Sequence, residues 1–330
     1  MAEISVCSVN AHLTSQELGI PYWRIESGVP GPTLLIMASQ HGNEVQGADV
    51  MRQMLPVFEK ELKAGRVLMV PFGNLPALRN RRPHADSGPE TPYGDPSVQN
   101  INRTWPGIAD GTDGERITFA LNESVLAEAT HVIDLHCWPR HRGTTVLVHD
   151  GHQEAMEMAR CTAVRFVQPG ALRPLPDKSP QGTSLRNWSM HTGRTAICIE
   201  LSGQYMVVAK EVRRTARAIT NCAKFLGLLA GDPEGLDEPQ LWTNQREQTN
   251  IVAPESGLFA VLDYQPSDRV EGGELLGHLI SDENLEITEV RAPVSGYLWR
   301  YGAFRSHCDV SLAAQHPYAG KGESLCVIVH

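Results

Sequence analysis

Four short apolar runs, residues 33–38, 66–71, 131–135 and 195–201, most constrain what this chain can fold into. Each is too short for a buried helix and long enough for a buried strand. Between them the apolar period changes to three or four. Over residues 47–63 it places Val50, Met54, Leu55, Phe58 and Leu62 on one face, with Gly65 just beyond. The same period predicts helices over 115–129, 152–164 and 207–229, a short helix over 184–191, and one more strand over 144–149. Strands spaced by helices predict an α/β domain with a mostly parallel or mixed sheet covered by helices on both faces.

The pattern changes after Gly231-Asp232-Pro233-Glu234-Gly235. Short β-like runs with turns follow, at 257–262, 275–280, 296–301 and 325–329. Two phrases repeat, Ala253-Pro254-Glu255-Ser256-Gly257-Leu258 and Ala292-Pro293-Val294-Ser295-Gly296-Tyr297. They predict a small β-domain with internal pseudo-symmetry, barrel-like as in biotinyl or lipoyl domains. The expected division is residues 1–235 for catalysis and 236–330 for a β-domain that caps or shapes the active-site entrance. Within the first unit, residues 75–114 read as a long irregular stretch rich in Pro, Gly, Asn and Arg. Such loops in compact domains carry function or are disordered, and Arg79, Arg81, Arg82 and Asn102-Arg103 favour function.

Charge narrows the partners. With 29 Lys+Arg against 38 Asp+Glu, the net charge of −9 disfavours nucleic acid and anionic membrane. No apolar run is long enough to span a bilayer, and the first residues lack the features of a signal peptide. Seven scattered cysteines without a Cys-x-x-Cys pair fit a reducing, cytoplasmic compartment.

The chemistry concentrates at strand ends. His41 and Glu44, three residues apart, follow the first run, and His136 ends the third. Two imidazoles and a carboxylate are a catalytic zinc ligand set with one position open to water; the same donors accept other divalent ions. Glu200 lies near the end of the fourth run, within Ala196-Ile197-Cys198-Ile199-Glu200-Leu201. Ligands of open α/β sheets bind at the carboxyl ends of strands, so all four groups can meet in one crevice. A carboxylate in so apolar a strand is costly unless paired or functional, and burial raises its pKa toward that of a working base. Asn102-Arg103 places an amide beside a planar fork suited to a substrate carboxylate. His84, His131, His141, His149, His152 and His191 have no ligand spacing and read as surface or core.

His41-Gly42-Asn43-Glu44, Asn102-Arg103-Thr104-Trp105-Pro106-Gly107, Asp134-Leu135-His136 and Ile199-Glu200-Leu201-Ser202-Gly203 stand in the order found in one family. Across residues 30–230 the chain resembles the succinylglutamate desuccinylase/aspartoacylase family, a branch of the zinc-carboxypeptidase-like hydrolases. The resemblance implies one zinc ion per chain on His41, Glu44 and His136, with Glu200 as base and proton shuttle. It also implies that Asn102 and Arg103 contact the substrate carboxylate, and that a further arginine polarises the scissile carbonyl. Asn74-Leu75-Pro76-Ala77 departs from the usual Asn-Pro-x-Ala, so Arg81 and Arg82 both qualify, with Arg82 preferred. Cys137-Trp138-Pro139 stands where small residues are common, and Ser202 where Gly is frequent. The length and two-domain layout are similar to members that deacetylate N-acetyl-diaminobutyrate.

The expected partner is a small N-acyl amino acid, with no nucleic acid and no membrane; a homo-oligomer stays open. The main alternative is a metallocarboxypeptidase acting on short peptides. A biotin or lipoate carrier needs a lysine at a hairpin tip, and the only lysine after residue 240 is Lys321, with no methionine near it. A non-catalytic homologue conflicts with the intact His41, Glu44, His136 and Glu200 set.

Overall fold

The computed structural model describes residues 1–86, 99–175, 182–304 and 316–330. Part of the expected 75–114 loop, residues 87–98, lies outside them. The chain opens with strands β1 (Glu3–His12) and β2 (Glu17–Glu26), then β3 (Thr33–Ala38), α1 (Gln46–Glu61), β4 (Arg66–Val70), α2 (Leu75–Asn80) and α3 (Asp113–Leu121). Next come β5 (His131–Trp138), β6 (Thr145–His149), α4 (Gln153–Cys161), β7 (Phe166–Gly170), α5 (Leu185–His191), β8 (Thr195–Ser202), α6 (Ala209–Phe225) and β9 (Leu241–Trp242).

These nine strands form one mixed sheet in the order β1-β2-β4-β3-β5-β8-β6-β7-β9. Its centre, β4-β3-β5-β8, is parallel, whereas β6 runs antiparallel to β8 and the β1–β2 hairpin antiparallel to β4. The hairpin escapes a search for apolar runs because its strands alternate: Leu18 and Ile20 are buried between exposed Glu17, Gly19 and Pro21. The central strands are buried on both faces, so they read as runs.

The helices start and stop for local reasons. Thr112 and Glu115 form a reciprocal capping box, which begins α3 at Asp113. After Leu121 the helix widens into a single π turn, Asn122–Leu126, so the expected 115–129 helix is divided. Leu75–Asn80, inside the stretch expected to be irregular, is a short helix capped by the Asn74 side chain. Among the described residues no helix is long and apolar enough to cross a membrane.

The C-terminal region contains β10 (Gln248–Val252), β11 (Gly257–Val261), β12 (Arg269–Val270), β13 (Leu275–Ser281), β14 (Ile287–Arg291), β15 (Gly296–Phe304), β16 (Tyr318–Ala319) and β17 (Ser324–Val329). They form two four-stranded antiparallel sheets, β10-β17-β15-β12 and β14-β13-β11-β16, that share one apolar core. No closed barrel forms among the described residues. The repeated Ala-Pro phrases lead into β11 and β15, which hold equivalent places in the two sheets, so the pseudo-symmetry read from the repeat is present. β9, beyond Gly235, still belongs to the large sheet.

The two units share a packed junction. Trp299 and Val329 of the small unit meet Phe166 and Leu241 of the large one. Trp299 O accepts from Gly143 N at 2.8 Å, and Tyr301 N donates to His141 O at 2.7 Å. Replacing a buried tryptophan by alanine costs about 3–5 kcal/mol. Trp299→Ala is therefore expected to lower stability by an amount in that range, read by urea unfolding; wild-type stability would show that this junction carries no packing energy.

Candidate metal centre and active site

The loop after β3 is shaped before it is functional. Ser39 takes a left-handed φ of 54°, turning the chain sharply off the strand. Gly42 then lies so close to α2 that an added Cβ would sit 2.2 Å from the Ala77 carbonyl carbon and oxygen. Only glycine fits, and the loop is pressed down with His41 and Glu44 turned inward.

Strand alternation supplies the other half. On β5 it directs Asp134 and His136 to one face and Ile133, Leu135 and Cys137 to the other. On β8 it directs Cys198 and Glu200 to the same face as the β5 pair. The parallel register sets His136 opposite Glu200 and Asp134 opposite Cys198.

His41, Glu44 and His136 converge. Glu44 Oε1 lies 3.0 Å from His41 Nδ1, and Oε2 lies 2.8 Å from His136 Nδ1. Cys137 N and Gln204 Nε2 also donate to this carboxylate, at 3.0 and 3.3 Å. The ligand atoms of the three residues lie within 4.8 Å of one another. The far ring nitrogens are held as well. His41 Nε2 is 3.1 Å from Asn100 Oδ1, and His136 Nε2 is 3.2 Å from Asp134 Oδ2. Gln40 donates to Asp134 Oδ1 at 2.7 Å and accepts from Trp105 Nε1 at 2.8 Å. Metal-binding histidines characteristically have the second nitrogen so engaged, which fixes tautomer and orientation. The donor set of His41, Glu44 and His136 therefore fits a divalent ion of the zinc type.

Electrostatics agree with the geometry. Burial works against the Glu44 charge, but His41 and His136 outweigh it and hold the carboxyl well below its usual range. For His136, burial is outweighed by Asp134 and Glu44, which raise its pKa well above the ordinary imidazole value. An arriving cation must displace that proton, so its affinity rises with pH.

Glu200 opens partly onto a cleft of about 180 Å³ beneath α5. Its Oε2 is sealed from solvent and has no hydrogen-bond partner. Burial, reinforced by Glu44, pushes its carboxyl up to about 8, against the opposing pull of His136 and Arg142. Asn102 and Arg103 line the same cleft, and Leu185 N donates to Asn102 Oδ1 at 3.3 Å. Arg81 is exposed at the left-handed C-cap of α2 with φ of 56°, and Arg82 follows it half-buried. Neither is among the described residues that line the cleft.

Several cleft groups are not expected from spacing. Arg186 on α5 has a solvent-shielded Nη1 without a partner, and burial lowers its pKa. His149, read from sequence as surface or core, also lines the cleft, with both ring nitrogens unpartnered. Burial, then the nearby Arg186, pushes it down to about 4, so it is neutral at pH 7. The Arg142 guanidinium, which acts electrostatically on Glu200, lies 3.1 Å from the Trp138 ring centroid and 5.0 Å from that of Trp299. Burial, then Arg300, pushes Arg142 down to about 9.

The succinylglutamate desuccinylase/aspartoacylase catalytic domain matches residues 30–226, which include all four of His41, Glu44, His136 and Glu200. The chain belongs to that family. It is 25% identical over 290 residues to the N-alpha-acetyl-L-2,4-diaminobutyric acid deacetylase of Halomonas elongata, covering 84% of this chain and 80% of that protein. A succinylglutamate desuccinylase/aspartoacylase from Rhodobacter sphaeroides shares the fold, with a TM-score of 0.69 at 20% identity over 99% of this chain and 95% of that one. The product-bound ectoine utilization protein EutE (DoeB) from Ruegeria pomeroyi also has a TM-score of 0.69, at 18% identity over 99% and 95%.

Glu200 yields a pH prediction for chelator-treated protein. Its folded pKa of about 8 stands above the ordinary 4.5. The unfolded chain therefore loses this proton first as pH rises. The Glu200 contribution is fully present below 4.5 and is lost as pH rises to about 8. Glu200→Gln, which cannot ionise, should flatten the fall in denaturant midpoint across that window. An unchanged slope would show that Glu200 ionises normally.

Proposed function

We propose that this chain is a zinc-dependent amidohydrolase that removes the acyl group from a small N-acyl amino acid. The observation that carries this reading is the placement of an unpartnered Glu200 directly across from His136, one of three side chains whose ligand atoms converge. His41, Glu44 and His136 would hold one ion per chain. When bound, such an ion lends Lewis acidity to water and to the scissile carbonyl.

The remaining steps belong to the protein. Glu200 takes a proton from the attacking water and returns it to the leaving amine. Asn102 offers its amide nitrogen, since its oxygen already accepts from Leu185 N. Together with the planar fork of Arg103 it grips the substrate carboxylate. Arg186, with a donor that lacks a partner, adds to that grip from the cleft wall. Arg82, or Arg81 beside it, steadies the oxyanion.

The small unit restricts entry. β15 lies against residues 141–143, where Arg142 packs against the rings of Trp138 and Trp299. An entrance narrowed by that unit favours small acylated amino acids over peptides. The likeness to a deacetylase of N-acetyl-diaminobutyrate supports the same substrate class. The six described cysteines are all unpaired, which supports a reducing, cytoplasmic setting.

Amine release from acetyl, formyl and succinyl amino acids, with dipeptides alongside, tests the reading. Glu200→Gln is expected to keep its zinc and lose at least about 100-fold in turnover; an active variant would remove Glu200 as the base. Release from dipeptides alone would favour the carboxypeptidase alternative. His136→Ala is expected to lose most bound metal, and full occupancy by elemental analysis would exclude it as a ligand. Arg103→Lys should raise KM for substrates with a free carboxylate while sparing their esters, because a point charge cannot replace the fork.

A further inference from the structure

The short helix α5 carries Arg186 along the cleft and is held at both ends. Its 7 residues make a marginal helix on their own, so tethers decide where it sits. At its start, Leu185 N donates to Asn102 Oδ1 at 3.3 Å. Toward its end, Trp188 Nε1 donates to Asn122 Oδ1 at 2.8 Å. In the turn between α5 and β8, Arg194 Nε donates to Leu126 O at 3.0 Å and to Ala129 O at 3.1 Å. Asn122 and Leu126 are the first and last residues of the π turn that follows α3. Such turns are rare and frequent at functional sites. The Asn122 amide is aimed, because its Nδ2 donates to Glu123 Oε1 at 2.8 Å and leaves Oδ1 to the indole. Carbonyls at a helix end are short of intrahelical donors, and Arg194 serves two of them. Arg186 needs this support. Its Nη1 is shielded from solvent and has no partner, so no hydrogen bond at that atom fixes where it points, and its place is inherited from the backbone of α5.

We propose that Asn122, Trp188 and Arg194 are positioning residues, which clamp α5 to the π turn and so hold Arg186 at the cleft. None of the three is among the described residues that line the cleft. Loss of a tether lets α5 move while His41, Glu44, His136 and Glu200, on other elements, stay in place. Substrate binding then weakens and the chemical step does not. The clamp is a statement about where Arg186 sits; its effect on binding rests on the proposed hydrolase reading.

Phenylglyoxal modification of zinc-loaded protein, mapped by mass spectrometry, tests the clamp. Trp188→Phe keeps an aromatic ring and loses the indole N–H, and Asn122→Ala removes the acceptor. Each is expected to raise the modification rate of Arg186 about fivefold, the worth of one hydrogen bond, against exposed Arg52 as internal standard. With an N-acyl amino acid that the wild type hydrolyses, both variants should raise KM about fivefold and leave kcat and zinc content within about twofold. A protein that is only destabilised loses folded fraction instead, which lowers kcat. In an Arg186→Ala background, Trp188→Phe should add nothing to KM, because both changes remove one interaction. If Trp188→Phe does not fold, Asn122→Ala carries the comparison. Wild-type modification rates in both variants overturn the clamp, and so does a raised rate with KM unchanged. If the wild type hydrolyses no N-acyl amino acid, the hydrolase reading fails and the modification rates alone decide the clamp.

Discussion

The pairing of β5 with β8 is the constraint on which the rest of this site depends. Its parallel register sets His136 beside Glu200 and Asp134 beside Cys198. Both strands are central in a sheet covered on both faces, so neither face is open to water. A slip of β8 by one residue would drive Cys198 and Glu200 into the apolar layer beneath α1 and α6 and bring Ile and Leu to the cleft. The cost of burying a carboxylate without partners makes that slip prohibitive. The apolar residues that alternate with them therefore do functional duty, by locking the register.

Most of the buried polar set is internally satisfied. Trp105 holds Gln40, Gln40 holds Asp134, and Asp134 holds His136, while Asn100 holds His41. Such a chain fixes the orientation of imidazoles more tightly than packing alone. Against this background, the unpartnered atoms of Glu200, Arg186 and His149 stand together in one cleft. These are hydrogen-bonding groups placed where a substrate would meet them.

The small unit packs beside the same region. Its β15 makes backbone hydrogen bonds to the turn after β5, and Trp299 stacks toward Arg142, whose charge acts on Glu200. Trp138 sets a second indole against that guanidinium.

Much of this was legible in the chain. Apolar runs and helical periods located the central strands, and strand-end logic assembled His41, Glu44, His136 and Glu200 from three separate segments. The polar residues at alternate positions, Asp134-x-His136 and Cys198-x-Glu200, carried a signal for Asp134 and Cys198 as well, because period 2 puts them on one face. The N-terminal hairpin was less visible, since its half-buried strands show alternation in place of a run. Arg186, His149 and Arg142 carried no sequence mark at all; an arginine on a helix and a histidine in a strand are ordinary until their neighbours are known. Local composition and periodicity thus determined by themselves the fold class and the residues with ligand-like or base-like character, because those depend on side-chain chemistry and spacing along the chain. Tertiary structure alone decided which arginines reach the cleft, which polar atoms lack partners and where the small unit packs, because those depend on contacts between segments far apart in sequence.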